Sequence, residues 1–61
     1  MRYSELKRLL RKNKCYDTGE GTRHAKWKSL KTGEIFEIPR HDSQEVPAGT
    51  LNATLKKAGI N

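Results

Sequence analysis

Nothing in the chain is both long and apolar. Only 33% of its 61 residues are hydrophobic, and the longest apolar runs are pairs such as Leu9-Leu10 and Ile35-Phe36. That excludes a bilayer-spanning helix and the apolar core of a signal peptide. Cys15 is the single cysteine, so no internal disulfide can form, and a lone thiol fits a reducing cytoplasm. No CxxC or HExxH is present, which argues against a structural zinc site. Nor is there a Gly-rich loop ending in GK[ST], or a Ser-His-Asp set with recognisable spacing. Carboxylates are few and scattered, so neither a two-carboxylate nor a two-metal centre is indicated. Internal repeats and low-complexity tracts are missing too.

Positive charge is what the chain has in quantity. Thirteen Lys and Arg stand against seven Asp and Glu, a formal net charge of +6. Such a balance favours polyanions through counterion release, with a membrane surface the weaker alternative. A chain of 61 residues is expected to form one domain, residues 1–61, near the lower size at which a chain folds alone. Its core must be small, its stability on the order of 5 kcal/mol or less, and any active site a shallow surface feature.

Hydrophobic spacing predicts the elements. Leu6, Leu9 and Leu10 recur at helical intervals, with Lys7, Arg8, Arg11 and Lys12 filling the other side. This reads as an amphipathic helix from Ser4 to Asn13, capped by Ser4 and stapled by Tyr3. Lys14 to Thr18 reads as a short strand, broken by Gly19-Glu20-Gly21. From Thr22 to Leu30 the residues alternate. Arg23, Ala25, Trp27 and Ser29 face one way; Thr22, His24, Lys26, Lys28 and Leu30 face the other. Lys31-Thr32-Gly33 is a hairpin signal. The strand Glu34 to Pro39 follows, with Phe36 and Ile38 on one face and Ile35 and Glu37 on the other. After the polar loop Arg40 to Val46, Pro47 opens a second helix in which Leu51, Leu55 and Ala58 repeat, and Gly59 suits its C-terminal cap. The predicted class is α+β in the order α-β-β-β-α: a three-stranded antiparallel meander with both helices on one face and the other face open.

The chemistry concentrates at Gly21-Thr22-Arg23-His24. Breaking RNA without a metal takes a group that moves protons near neutral pH, and histidine is the natural one. It also takes cations to bind phosphate and stabilise developing charge. If Trp27 points into the core, His24 lies on the open face with Lys26 and Lys28. Thr22 can bond a phosphate oxygen or orient the imidazole, and Gly19 and Gly21 let backbone N–H groups approach a phosphate. Against this stands the plain alternative that His24 is a surface residue on a basic strand. His41 is a second candidate acid or base, since pairing along the meander can bring it near the His24 strand; it also reads as an ordinary loop histidine. Trp27 and Phe36 are possible base-stacking platforms, but a chain this small needs its aromatics inside.

Taken in order, the pieces resemble a known family. Tyr3-Ser4-Glu5-Leu6 with Leu9-Leu10, then Gly21-Thr22-Arg23-His24, then Ile38-Pro39-Arg40-His41, and finally Pro47-Ala48-Gly49-Thr50-Leu51 through Leu55-Lys56-Lys57-Ala58-Gly59-Ile60 are similar to the HicA toxins. These are small mRNA interferases of bacterial HicA–HicB toxin–antitoxin pairs. The resemblance covers nearly the whole chain. It implies a fold like a double-stranded-RNA-binding domain and metal-independent endoribonuclease activity on mRNA, with no cofactor. It makes His24, the last residue of the G-[ST]-x-H element, the catalytic histidine; Gly21, Thr22, Arg23, Lys26 and Lys28, read above as its neighbours, are expected to bind the RNA. Thr22 stands for the commoner serine and keeps the hydroxyl. Arg23 stands where many members carry a second histidine. The implied partner is a HicB-type antitoxin that occludes the His24 face, drawn to the basic toxin by steering. Two other readings compete: a non-catalytic module that recognises duplex RNA by shape, and a small basic protein whose main task is to bind a protein partner.

Overall fold

In a computed structural model that describes residues 1–60, the elements follow the order α-β-β-β-α. Helix α1 spans Tyr3–Lys12 and buries Tyr3, Leu6 and Leu10. It begins one residue earlier than expected, and the Ser4 hydroxyl is not its cap. The first orphan donors are taken up by a segment far along the chain: Tyr3 N–H donates to Gln44 O at 3.0 Å and Ser4 N–H to Asp42 O at 3.1 Å. Glu5 Oε1 accepts from Arg2 N–H at 2.9 Å. Tyr3, expected as an outside staple, is thereby a helical core residue. The helix ends at Lys12, and Lys14 turns the chain with a left-handed φ of 65°.

Three strands follow: β1 (Cys15–Asp17), β2 (His24–Ser29) and β3 (Ile35–Pro39), antiparallel in the order β1-β2-β3. All are shorter than predicted. β1 stops because Thr18 bends onto β2, with its N–H and its hydroxyl both donating to Lys26 O (2.8 and 3.0 Å). The Asp17 carboxylate then accepts from Gly19 N–H at 2.9 Å, an Asx turn that carries the chain out of the sheet. β2 begins only at His24, so Thr22 and Arg23 lie outside the alternation assigned to them.

Within the strands the two-residue period holds. Ala25, Trp27, Ser29, Phe36, Ile38 and Cys15 are buried on the inner face. Both helices pack there, through Leu6 and Leu10 of α1 and Ala58 of helix α2 (Ala48–Ala58). Trp27, fully buried, has the Arg11 guanidinium 5.2 Å from its ring centroid, and its Nε1–H finds no acceptor among the described residues.

The inner line of α2 runs through Thr54 and Ala58, with Leu51 and Leu55 only partly buried beside them. Small residues at the contact bring the helix close to the sheet, and its last carbonyls are satisfied by β2 and the hairpin. Ser29 Oγ donates to Ala58 O at 2.9 Å and Thr32 Oγ1 to Lys57 O at 2.7 Å. Gly59 caps the helix at φ 76°, and a Cβ there would stand 2.9 Å from Thr32 Cγ2.

Candidate functional site

Among the described residues, no helix covers the outer face of the sheet. His24 and Lys26 of β2 and Glu37 of β3 are exposed on it, as are Tyr16 and Ile35. The register places His24 opposite Pro39 and Lys26 opposite Glu37.

At the His24 end, the loop between β1 and β2 folds back over the strand. Thr18 Oγ1 accepts from Glu20 N–H at 3.3 Å, and Glu20 O accepts from Lys26 N–H at 3.3 Å. Gly21, at φ +92°, presses its Cα against the backbone ahead; a Cβ would stand 2.2 Å from His24 O. Only glycine fits there. Its role is close backbone approach, and the neighbour approached is the histidine's own carbonyl. From the far side Arg40 Nη2 donates to Gly21 O at 3.3 Å. Loop, β2 and β3 together enclose a shallow depression of about 390 Å³ lined by Gly21, Thr22, Arg23, His24, Lys26 and Glu37.

Five residues singled out from the sequence (Gly21, Thr22, Arg23, His24 and Lys26) therefore meet around one depression. Lys28 does not line it. It is partly buried one row along the sheet, between Tyr16 and Ile35. His41 does not line it either: β3 ends at Pro39, and the next residues run to the start of α1, where Asp42 O meets Ser4 N–H. Trp27 and Phe36 are core residues and offer no ring to a base, whereas Tyr16 is 43% exposed on the outer face.

Two residues of the site were not among the candidates singled out from the sequence. Arg40 pins the loop through Gly21 O. Glu37 is the one carboxylate among the lining residues. Strand parity alone places Glu37 on the open face; its partnership with Lys26 emerges only with the hairpin register. No ion pair joins Glu37 to Lys26 or to His24; the pairs formed among the described residues are Met1 with Glu45 and Lys7 with Asp42.

The depression is thus open, cationic and small, with one imidazole and one carboxylate. It suits an extended anion held at its surface better than an engulfed ligand. Among the described residues, no three His, Cys, Asp or Glu side chains gather as a metal-binding group, and no helix is long and apolar enough to cross a membrane.

Compared with known proteins, residues 3–60 match the family model described as the HicA toxin of bacterial toxin–antitoxin systems. No curated protein and no solved structure gives a significant match.

Proposed function

The chain belongs to the HicA toxin family, the toxin side of bacterial toxin–antitoxin systems, and we propose that it acts there as a metal-independent endoribonuclease that cuts mRNA through His24. The observation that carries this reading is the setting of His24. It stands exposed at the mouth of a depression whose other lining includes Arg23, Lys26 and the Thr22 hydroxyl.

Each residue has a part in that chemistry. Arg23 presents a fork of N–H donors that matches phosphate oxygens, and Lys26 adds a point charge. Thr22 donates a hydroxyl hydrogen bond. His24 acts as general acid or base, taking the proton of the RNA 2′-hydroxyl or protonating the departing 5′-oxygen. Attack by the 2′-oxygen leaves a 2′,3′-cyclic phosphate on one fragment and a 5′-hydroxyl on the other.

Family membership implies an antitoxin partner. A HicB-type antitoxin lying across the outer face would silence the toxin by covering the depression, in the cytoplasm where mRNA is exposed. The chain then works as one domain, residues 1–61, with no cofactor.

Expression in bacteria tests the reading. Wild type is expected to arrest growth and fragment mRNA, while His24→Ala, expressed to the same level, does neither. Arrest without RNA fragmentation would favour the competing non-catalytic module, which binds duplex RNA and cuts nothing.

A further inference from the structure

Cleavage by the 2′-hydroxyl moves two protons, one off the attacking oxygen and one onto the leaving oxygen. In an in-line displacement these oxygens lie on opposite sides of phosphorus. A proton-transfer group must approach within about 2.6–3.2 Å of the atom it serves. One imidazole therefore cannot serve both in the same step, and His24 needs a second group.

The lining of the depression narrows the choice. Arginine and lysine side chains are donors without a lone pair to spare near neutral pH, and a threonine hydroxyl is far too weak a base. Gly21 offers only backbone, and His41 lies outside the lining. What is left to take the 2′-hydroxyl proton, with His24 as the acid, is Glu37. It is exposed on the outer face of β3, opposite Lys26 and two residues from Pro39, the partner of His24. Diagonal neighbours on one sheet face stand roughly 7–8 Å apart at the backbone. At that spacing an imidazole and a carboxylate flank a phosphodiester from two sides, and the two form no ion pair with each other. The cations that line the depression beside them are Arg23 from the loop and Lys26 from β2, while Arg40 after β3 holds the Gly21 carbonyl. A lone carboxylate among these cations weakens the pull on phosphate, which sets Glu37 apart from its neighbours as something other than a binding group.

We propose that Glu37 is the second catalytic group of this site: its carboxylate takes the proton of the RNA 2′-hydroxyl while the His24 imidazolium protonates the departing 5′-oxygen. The 2′-oxygen lone pair forms the new bond to phosphorus, the P–O5′ bond breaks, and its electron pair leaves on O5′ and is captured by the proton from His24. Glu37 ends as the carboxylic acid and His24 as neutral imidazole, and proton exchange with water resets both. The assignment rests on the endoribonuclease reading above.

The test uses the full chain in EDTA with two oligonucleotides, each carrying a single cleavable linkage. In one the leaving atom is the natural 5′-oxygen; in the other it is a bridging 5′-sulfur, which departs as a thiolate and needs no proton. Glu37→Gln is expected to lower cleavage of both linkages by about 10²–10⁴-fold. His24→Ala should lose the oxygen linkage to a similar extent and recover toward the wild-type rate on the sulfur linkage. Glu37→Asp, which keeps a carboxylate, should retain part of the activity lost in Glu37→Gln at equal melting temperature. Wild-type rates in Glu37→Gln would overturn the assignment, as would sulfur rescue of Glu37→Gln in place of His24→Ala. A wild-type protein that cuts neither linkage would instead overturn the endoribonuclease reading, and this assignment with it.

Discussion

Neighbouring residues of β2 live in different solvents. Ala25, Trp27 and Ser29 are sealed against two helices, while His24 and Lys26, reached by the same backbone, face water. The inner face has no charged side chain among its buried residues, and the outer face has a small cluster of them around an open depression. Parity along one strand thus divides the work of the molecule. The inner residues hold the fold, and the outer ones are free to carry charge because, among the described residues, no helix packs on them. In so small a domain this is an efficient division: β2, β3 and the short loop between β1 and β2 present the site directly.

The sharpest way to probe the contrast is from the inside. Trp27→Ala should cost about 3–5 kcal/mol through lost burial and the cavity left behind. Against a total on the order of 5 kcal/mol or less, this leaves much of the chain unfolded, as a flattened circular-dichroism melt would show. A cooperative melt near that of wild type would refute the division by face. The next largest effect is expected where the two faces meet. Gly21→Ala forces a Cβ to 2.2 Å from His24 O at a positive φ, so the loop must move. A left-handed φ costs a non-glycine residue roughly 1–2 kcal/mol, and a displacement of His24 by an ångström is enough to reduce cleavage about 10²-fold. A fall in both melting temperature and cleavage is the expected result; full activity at full stability would show that the loop does not set the histidine's position.

The smallest effect lies away from both faces. Asp42 accepts a 2.6 Å hydrogen bond from Lys7 Nζ, and this contact, with the Lys7 charge, holds its carboxyl below the ordinary aspartate range. A lowered folded-state value means that the contribution is fully present above the unfolded-state pKa and fades as pH falls through the folded-state one. Asp42 is exposed, so solvent screens the pair and the effect is slight. Asp42→Asn should lower the melting temperature by a small amount at pH 7, and the two melts should converge in acid. A difference that persists at the lowest pH would locate the effect in Asp42's backbone contact with α1 instead.

Much of this arrangement is legible in the sequence because it depends on period. Alternation through Ala25, Trp27 and Ser29 against His24 and Lys26, and through Phe36 and Ile38 against Glu37, is enough to assign the faces. Gly59 likewise announces the end of α2, since few residues tolerate its φ. What local pattern misses is whatever distant segments supply. Ser4 looks like a cap, but the donors it would serve are met by the carbonyls of Asp42 and Gln44. Leu51, Leu55 and Ala58 look like the inner line of α2; Ala58 is, but close approach to Ser29 favours Thr54 over the two leucines. In the site, the Gly21-Thr22-Arg23-His24 run is visible as a local motif. Glu37 is not, because its place beside Lys26 is set by the Lys31-Thr32-Gly33 hairpin, where Gly33 N–H donates to Ser29 O at 2.8 Å.

Under the proposed function, His24 is chemically active on a face that does not hold the fold together. Cleavage of a defined RNA by purified wild type and His24→Ala, in EDTA, with a melt recorded for each, tests it most directly. Equal melts are expected, with fragments ending in 2′,3′-cyclic phosphate from wild type and a loss of about 10²-fold or more in the variant. Equal cleavage by the two proteins, or complete loss of wild-type cleavage in EDTA, would contradict it.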